Sequence, residues 1–185
     1  GAILWLVDPI IAAMDSLQGR EGFPIIPMDL NIDDQLFQYG ARLNKNLIQD
    51  VQCAPHPFST GFMGNVPQFE LFEWLYFPIA LPSSSHPIVN NMDAILLQFA
   101  SSIDTVGNSN IKKTPLLTSS KYARSVFTGA RVSHNIVKNK PAPGMFNQPN
   151  LTTALLMEGP IESLYKSRSN GKFVNVDYVE SIVKK

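Results

Sequence analysis

Eight residues could do chemistry together if the fold brings them to one edge: Asp8, Ser101, Ser102, Asp104, Thr118, Ser119, Ser120 and Glu158. Each stands where a short apolar run stops, so all would emerge at the carboxyl edge of a parallel sheet, where ligands bind. Carboxylates and hydroxyls there would line a polar pocket. The competing reading is that they cap turns and helices, satisfying orphan backbone donors. Cys53 invites a nucleophile reading, but Cys53-Ala54-Pro55 removes a backbone amide and steers the chain away from a strand-to-helix turn. No neighbouring cation would lower its pKa, so an inert structural thiol is expected. His56, His86 and His134 lack metal-ligand spacing. No Gly-x-Ser-x-Gly elbow, Gly-rich phosphate loop or His-Glu-x-x-His occurs, so catalytic, cofactor and metal residues are all read as none. Asn150-Leu151-Thr152 matches a glycosylation acceptor, a pattern too short to carry weight.

The elements that must position these groups are four apolar runs: Ala2 to Val7, Ala94 to Ala100, Pro115 to Thr118 and Thr153 to Met157. Runs of this length, closed by turn residues, suit strands buried on both faces of a mainly parallel sheet. The expected fold is α/β: a central mixed, mainly parallel sheet with flanking helices and long Pro-rich loops. The join at Gly107-Asn108-Ser109-Asn110 fits a hairpin better than a crossover, so the sheet is expected to be mixed; if the strands either side are antiparallel, the edge set splits. A helix is predicted from Asn31 or Ile32 to Tyr39, with Asp33 and Asp34 in its first turn and Gly40 ending it. Leu47 to Gln52 reads as a strand nearer the sheet edge, and Ala54 to Val66 as loop on account of Pro55, Pro57, Gly61 and Gly64.

Phe69 to Pro78 is the most aromatic segment and reads as a strand or hairpin arm. A partner surface is expected there, on Trp74, Tyr76 and Phe77 with His86 beyond them, because aromatic side chains are enriched at interface centres. The opposing expectation is that most of these rings fill the core. Lys121 to Val126 reads as helical turns and Ala130 to Val137 as a strand. Ser169-Asn170-Gly171-Lys172 is a hairpin signal inside a polar tail at 166–185.

The 185 residues suit one domain, and the sequence reads as a piece truncated at both ends. Fifteen basic against fifteen acidic residues give a formal charge of zero, with no basic stripe to neutralise phosphates, so nucleic acid is not an expected partner. One cysteine precludes an intramolecular disulfide.

Taken together, Asp29-Leu30-Asn31, Tyr39-Gly40, Leu47 to Cys53, Gly64-Asn65, Pro67-Gln68, Trp74 to Pro78, His86 to Val89, Ser101 to Asp104, Leu117 to Ser120, Phe146-Asn147 and Leu156 to Gly159 resemble GldG-type proteins. These are auxiliary components of the ABC-transporter-like system associated with bacterial gliding motility, and the match spans about Ala2 to Arg168. The resemblance implies a non-catalytic extracytoplasmic (periplasmic) domain of a membrane-anchored protein that works with ATPase and permease subunits. It also implies a fold similar to class I glutamine-amidotransferase-like or flavodoxin-like α/β domains, without the enzyme's nucleophile. The alternative is a hydrolase or amidotransferase on the same scaffold. Pro115 departs from the pattern, standing where an aliphatic strand residue is expected.

Overall fold

A computed structural model describes residues 2–17, 22–107 and 110–162. In chain order its elements are β1 (Ile10–Ile11), β2 (Phe23–Pro24), β3 (Ile26–Pro27), α1 (Asp33–Tyr39), β4 (Ala41–Leu43), β5 (Asn46–Asp50), β6 (Cys53–Met63) and β7 (Val66–Pro82). Then come β8 (Ile95–Leu96), β9 (Ile103–Thr105), β10 (Lys112–Thr118), β11 (Ala123–Phe127), β12 (Arg131–Val132), α2 (Asn135–Lys138) and β13 (Thr152–Glu158). The largest sheet runs β13-β10-β7-β6, with β8 also on β7, while β5 pairs with β11 and packs against β7.

The expected mainly parallel α/β fold is overturned. Among the described residues every strand pairing is antiparallel, only two short α-helices are present, and strand far exceeds helix. Short apolar runs do not specify strand direction, and the connections decide it. The two-residue Gly64-Asn65 link between β6 and β7 can close only an antiparallel pair. Of the four runs, Pro115 to Thr118 and Thr153 to Met157 pair with each other through β10 and β13. Ala94 to Ala100 contributes only the two residues of β8, and Phe99 at φ 53° breaks the extended path. Ala2 to Val7 forms no strand and leaves Ile3, Leu4 and Leu6 exposed.

Two readings of proline-rich sequence also change. Ala54 to Val66 is not loop but most of an eleven-residue strand and the turn that follows it. β6 lies at the sheet's edge, and Pro55 and Pro57, two residues apart, point their nitrogens the same way, so neither interrupts the ladder to β7. Gly61 at φ 149° takes up a register shift, and Gly64 at φ 63° makes the tight turn. Lys121 to Val126 belongs largely to β11 rather than to helical turns, and Ala130 to Val137 is split between β12 and α2.

The helix at Asp33–Tyr39 forms as expected, with Gly40 at φ 89° donating its N–H to Leu36 and Phe37 carbonyls. All five β5 residues are buried, so this strand lies inside the molecule although it pairs with β11 alone in a two-stranded sheet. Its Leu47 joins the core of Ile10, Leu17, Phe23, Ile25, Trp74, Tyr76, Phe77, Phe99 and Val132. Ring contacts run Phe58–Trp74 at 5.1 Å, Trp74–Tyr76 at 5.6 Å and Phe77–Phe99 at 5.5 Å. A smaller core of Ala80, Val89, Leu116 and Leu117 sits where β7 meets β10. The tail at 166–185 lies outside the described residues.

Candidate functional site

Antiparallel pairing separates the eight edge residues. Glu158 is at the far end of β13 from Thr152 and pairs with Lys112 at 3.1 Å. Asp104 bonds Arg42 at 2.6 Å across β4 and β9. Partial burial works against its charge, but hydrogen bonds from Arg42 and Asn44 and the Arg42 charge outweigh that and hold its pKa below the ordinary value. Asp8 stands exposed before Pro9. Ser101 donates its hydroxyl to the Asn46 carbonyl at 2.6 Å, and the Ser102 N–H donates to Asn46 Oδ1 at 3.0 Å. Asn44 and Asn46 each donate a side-chain N–H to Ser102 Oγ at 2.9 Å.

Thr118, Ser119 and Ser120 do come together, on the wall of an open depression of about 790 Å³ that also involves Gln52, Ser83, Lys121 and Asn150. The Ser119 and Ser120 hydroxyls are committed inward. Asp50, wholly buried, accepts the Ser120 hydroxyl at 2.5 Å, the Ser120 N–H at 2.7 Å and the Gln52 N–H at 2.8 Å. Ser120 Oγ also accepts the Tyr122 N–H at 3.0 Å. Ser119 donates to the Ser120 carbonyl at 3.2 Å and accepts the Leu151 N–H at 2.9 Å. This is a clip joining the end of β5 to the turn after β10, built from groups that satisfy one another.

A nucleophile needs a base within hydrogen-bond reach. Cys53 is half-buried, and burial followed by the Glu73 and Asp50 carboxylates pushes its thiol up to about 11, only partly opposed by Lys140. It is therefore protonated at neutral pH. The His56 ring meets Phe58 and Phe77, and His134 meets Phe58 and Trp74. Burial first, and then the neighbouring His134, lower the His56 pKa. His86 closes a turn in which its Nδ1 accepts the Ile88 N–H at 3.2 Å. Among the described residues no group of three or more His, Cys, Asp or Glu is placed to hold a metal.

Trp74, Tyr76 and Phe77 are buried in the core and offer a partner no surface, since Trp74 to Pro78 are covered on both faces of β7. Only His86 of the expected partner surface remains partly exposed. The exposed ring of that segment is Phe69. It belongs to a feature the sequence reading missed: beyond the aromatic core, residues 59–71 of the β6–β7 hairpin extend with nearly every side chain in solvent. The signal was Gly64-Asn65, a two-residue hairpin turn between apolar residues.

No helix among the described residues is long and apolar enough to cross a membrane. No curated protein and no solved structure matches the chain significantly. The family described as "ABC-type uncharacterized transport system" matches residues 1–182, nearly the whole sequence. The chain therefore belongs to the auxiliary family of ABC-type transport systems.

Proposed function

We propose that the chain is a non-catalytic, extracytoplasmic domain of a membrane-anchored auxiliary subunit, one that binds protein or ligand beside the ATPase and permease of an ABC-transporter-like complex associated with gliding motility. The observation that carries this reading is how the segments resembling GldG-type proteins meet. Leu47 to Cys53, Ser101 to Asp104 and Leu117 to Ser120 converge around β5, where Asn46 engages Ser101 and Ser102, and Asp50 engages Ser120. Their polar groups hold the frame together, and none is aimed at a substrate with a base behind it. Such a frame serves contact, with chemistry left to the ATPase.

The test is purification of the full-length protein from its native membrane in mild detergent. The ATPase and permease are expected to remain bound in fixed proportion. Recovery of the protein free of both would overturn the reading.

A further inference from the structure

Between residues 57 and 72 the sequence is Pro-Phe-Ser-Thr-Gly-Phe-Met-Gly-Asn-Val-Pro-Gln-Phe-Glu-Leu-Phe, with Glu70 its one charge. The structure makes this stretch the outer part of the β6–β7 hairpin, where, among the described residues, β7 pairs with β6 alone. Phe62 and Met63 are each 73% exposed, Leu71 69%, Phe69 62% and Val66 61%. Cross-strand partners share a face of a hairpin. Met63 opposite Val66 therefore makes one broad face of the tip apolar, while Phe62 opposite Pro67, with Phe69 and Leu71 following on β7, makes the other apolar as well.

Three occupants compete for such a tip. A partner strand added at the edge is disfavoured by Pro55, Pro57 and the irregularity at Gly61 on β6, and by Pro67 on β7. A second copy stacked on one face would cover roughly 400 Å² of apolar side chain, about half the roughly 800 Å² per partner of a stable interface. A lipid surface can surround both faces at once. It needs no complementary shape, and it tolerates a tip that carries no cation.

We infer that the tip of the β6–β7 hairpin inserts shallowly into a neutral lipid surface. Depth is set by two features. Glu70 stands opposite Phe58, beyond the pairs Met63–Val66, Phe62–Pro67, Gly61–Gln68 and Ser59–Phe69, a span of roughly 13 Å at strand rise. The outer backbone edges of the hairpin also keep open N–H and C=O groups, which hydrocarbon cannot satisfy, so the tip stops among the headgroups and the first acyl carbons. This rests on the proposed place at a membrane-anchored complex, where such a contact would fix the domain's orientation to the bilayer.

The test uses the chain alone with phosphatidylcholine vesicles. A Phe62→Trp, Trp5→Phe variant puts one new indole at the tip, leaving buried Trp74 as an internal reference. Vesicles are expected to blue-shift the introduced indole, with stronger quenching by lipids brominated near the headgroup than near the chain end, and phosphatidylserine should add nothing. Adding Met63→Ser and Phe69→Ser should cut the vesicle-bound fraction at least about tenfold with circular dichroism unchanged. Because Ala2 to Val7 stays apolar and exposed in both proteins, that comparison isolates the hairpin. An introduced indole blind to vesicles, or binding undiminished by the two serines, would overturn the inference. So would a cross-linker at Asn65→Cys that captures a membrane protein from native membranes while vesicles bind nothing. Subunit retention is measured separately, so failure here leaves the transporter reading to its own test.

Discussion

Replacing Asp50 with alanine is expected to lower the free energy of unfolding by about 3 kcal/mol or more. The carboxylate is wholly buried and takes two backbone N–H groups and one hydroxyl, from Gln52 and Ser120. Removing it leaves three donors without their acceptor, and each unsatisfied buried donor costs about 1–3 kcal/mol before relaxation and water from the neighbouring depression offset part of the loss. Ser120→Ala should cost less, about 1–2 kcal/mol, because Asp50 keeps both backbone donors and only the Tyr122 N–H loses its acceptor. The two substitutions should couple, since they share a bond. Urea unfolding of the singles and the double measures all three quantities. Additive losses would mean that the clip does not act as a unit.

Trp74→Ala should be as damaging, at about 3–5 kcal/mol. Its ring is fully buried and touches Phe58, Tyr76 and His134, so truncation opens a cavity at the junction of the hairpin with the core. Trp74→Phe should be far milder, below about 2 kcal/mol, because the indole Nε1 meets no hydrogen-bond partner among the described residues and its loss removes a buried polar group as well as volume. If phenylalanine proved as costly as alanine, the indole N–H would have to be bonded in solution.

These two residues show what was legible in the sequence. Local signals read correctly: the Asp33–Tyr39 helix and its Gly40 terminator follow from charge placement and left-handed backbone, and neither depends on distant neighbours. The strand character of Leu47 to Asp50 was also visible. Its full burial was not, because Asn46, Gln49 and Asp50 look like edge residues until Ser102, Arg124 and Ser120 are seen to satisfy them. Strand direction was misread for a similar reason. An apolar run such as Thr153 to Met157 has the same composition in a parallel or an antiparallel sheet, and only its partner, here β10, settles the matter.

The candidate site was legible in composition and not in assembly. Thr118, Ser119 and Ser120 reached a common depression, whereas Glu158 and Asp104 were claimed by Lys112 and Arg42. The expected aromatic surface turned inward because Trp74, Tyr76 and Phe77 alternate across a strand covered on both faces. The exposed apolar surface lay just before it in sequence, concealed by prolines that suit an edge strand as well as they suit a loop.

The central claim is an antiparallel frame organised on β5, with the hairpin tip and the Ala2 to Val7 segment outside it. Amide hydrogen exchange of the folded chain tests this residue by residue. Asn46 to Asp50 and their β11 partners are predicted to be the slowest, opening only with global unfolding, while Ala2 to Val7 exchanges near the rate of an unstructured peptide and residues 59–71 open locally. Strong protection of Ala2 to Val7 together with rapid exchange in Asn46 to Asp50 would contradict the account, because it would make the first apolar run a buried strand and β5 an exposed one.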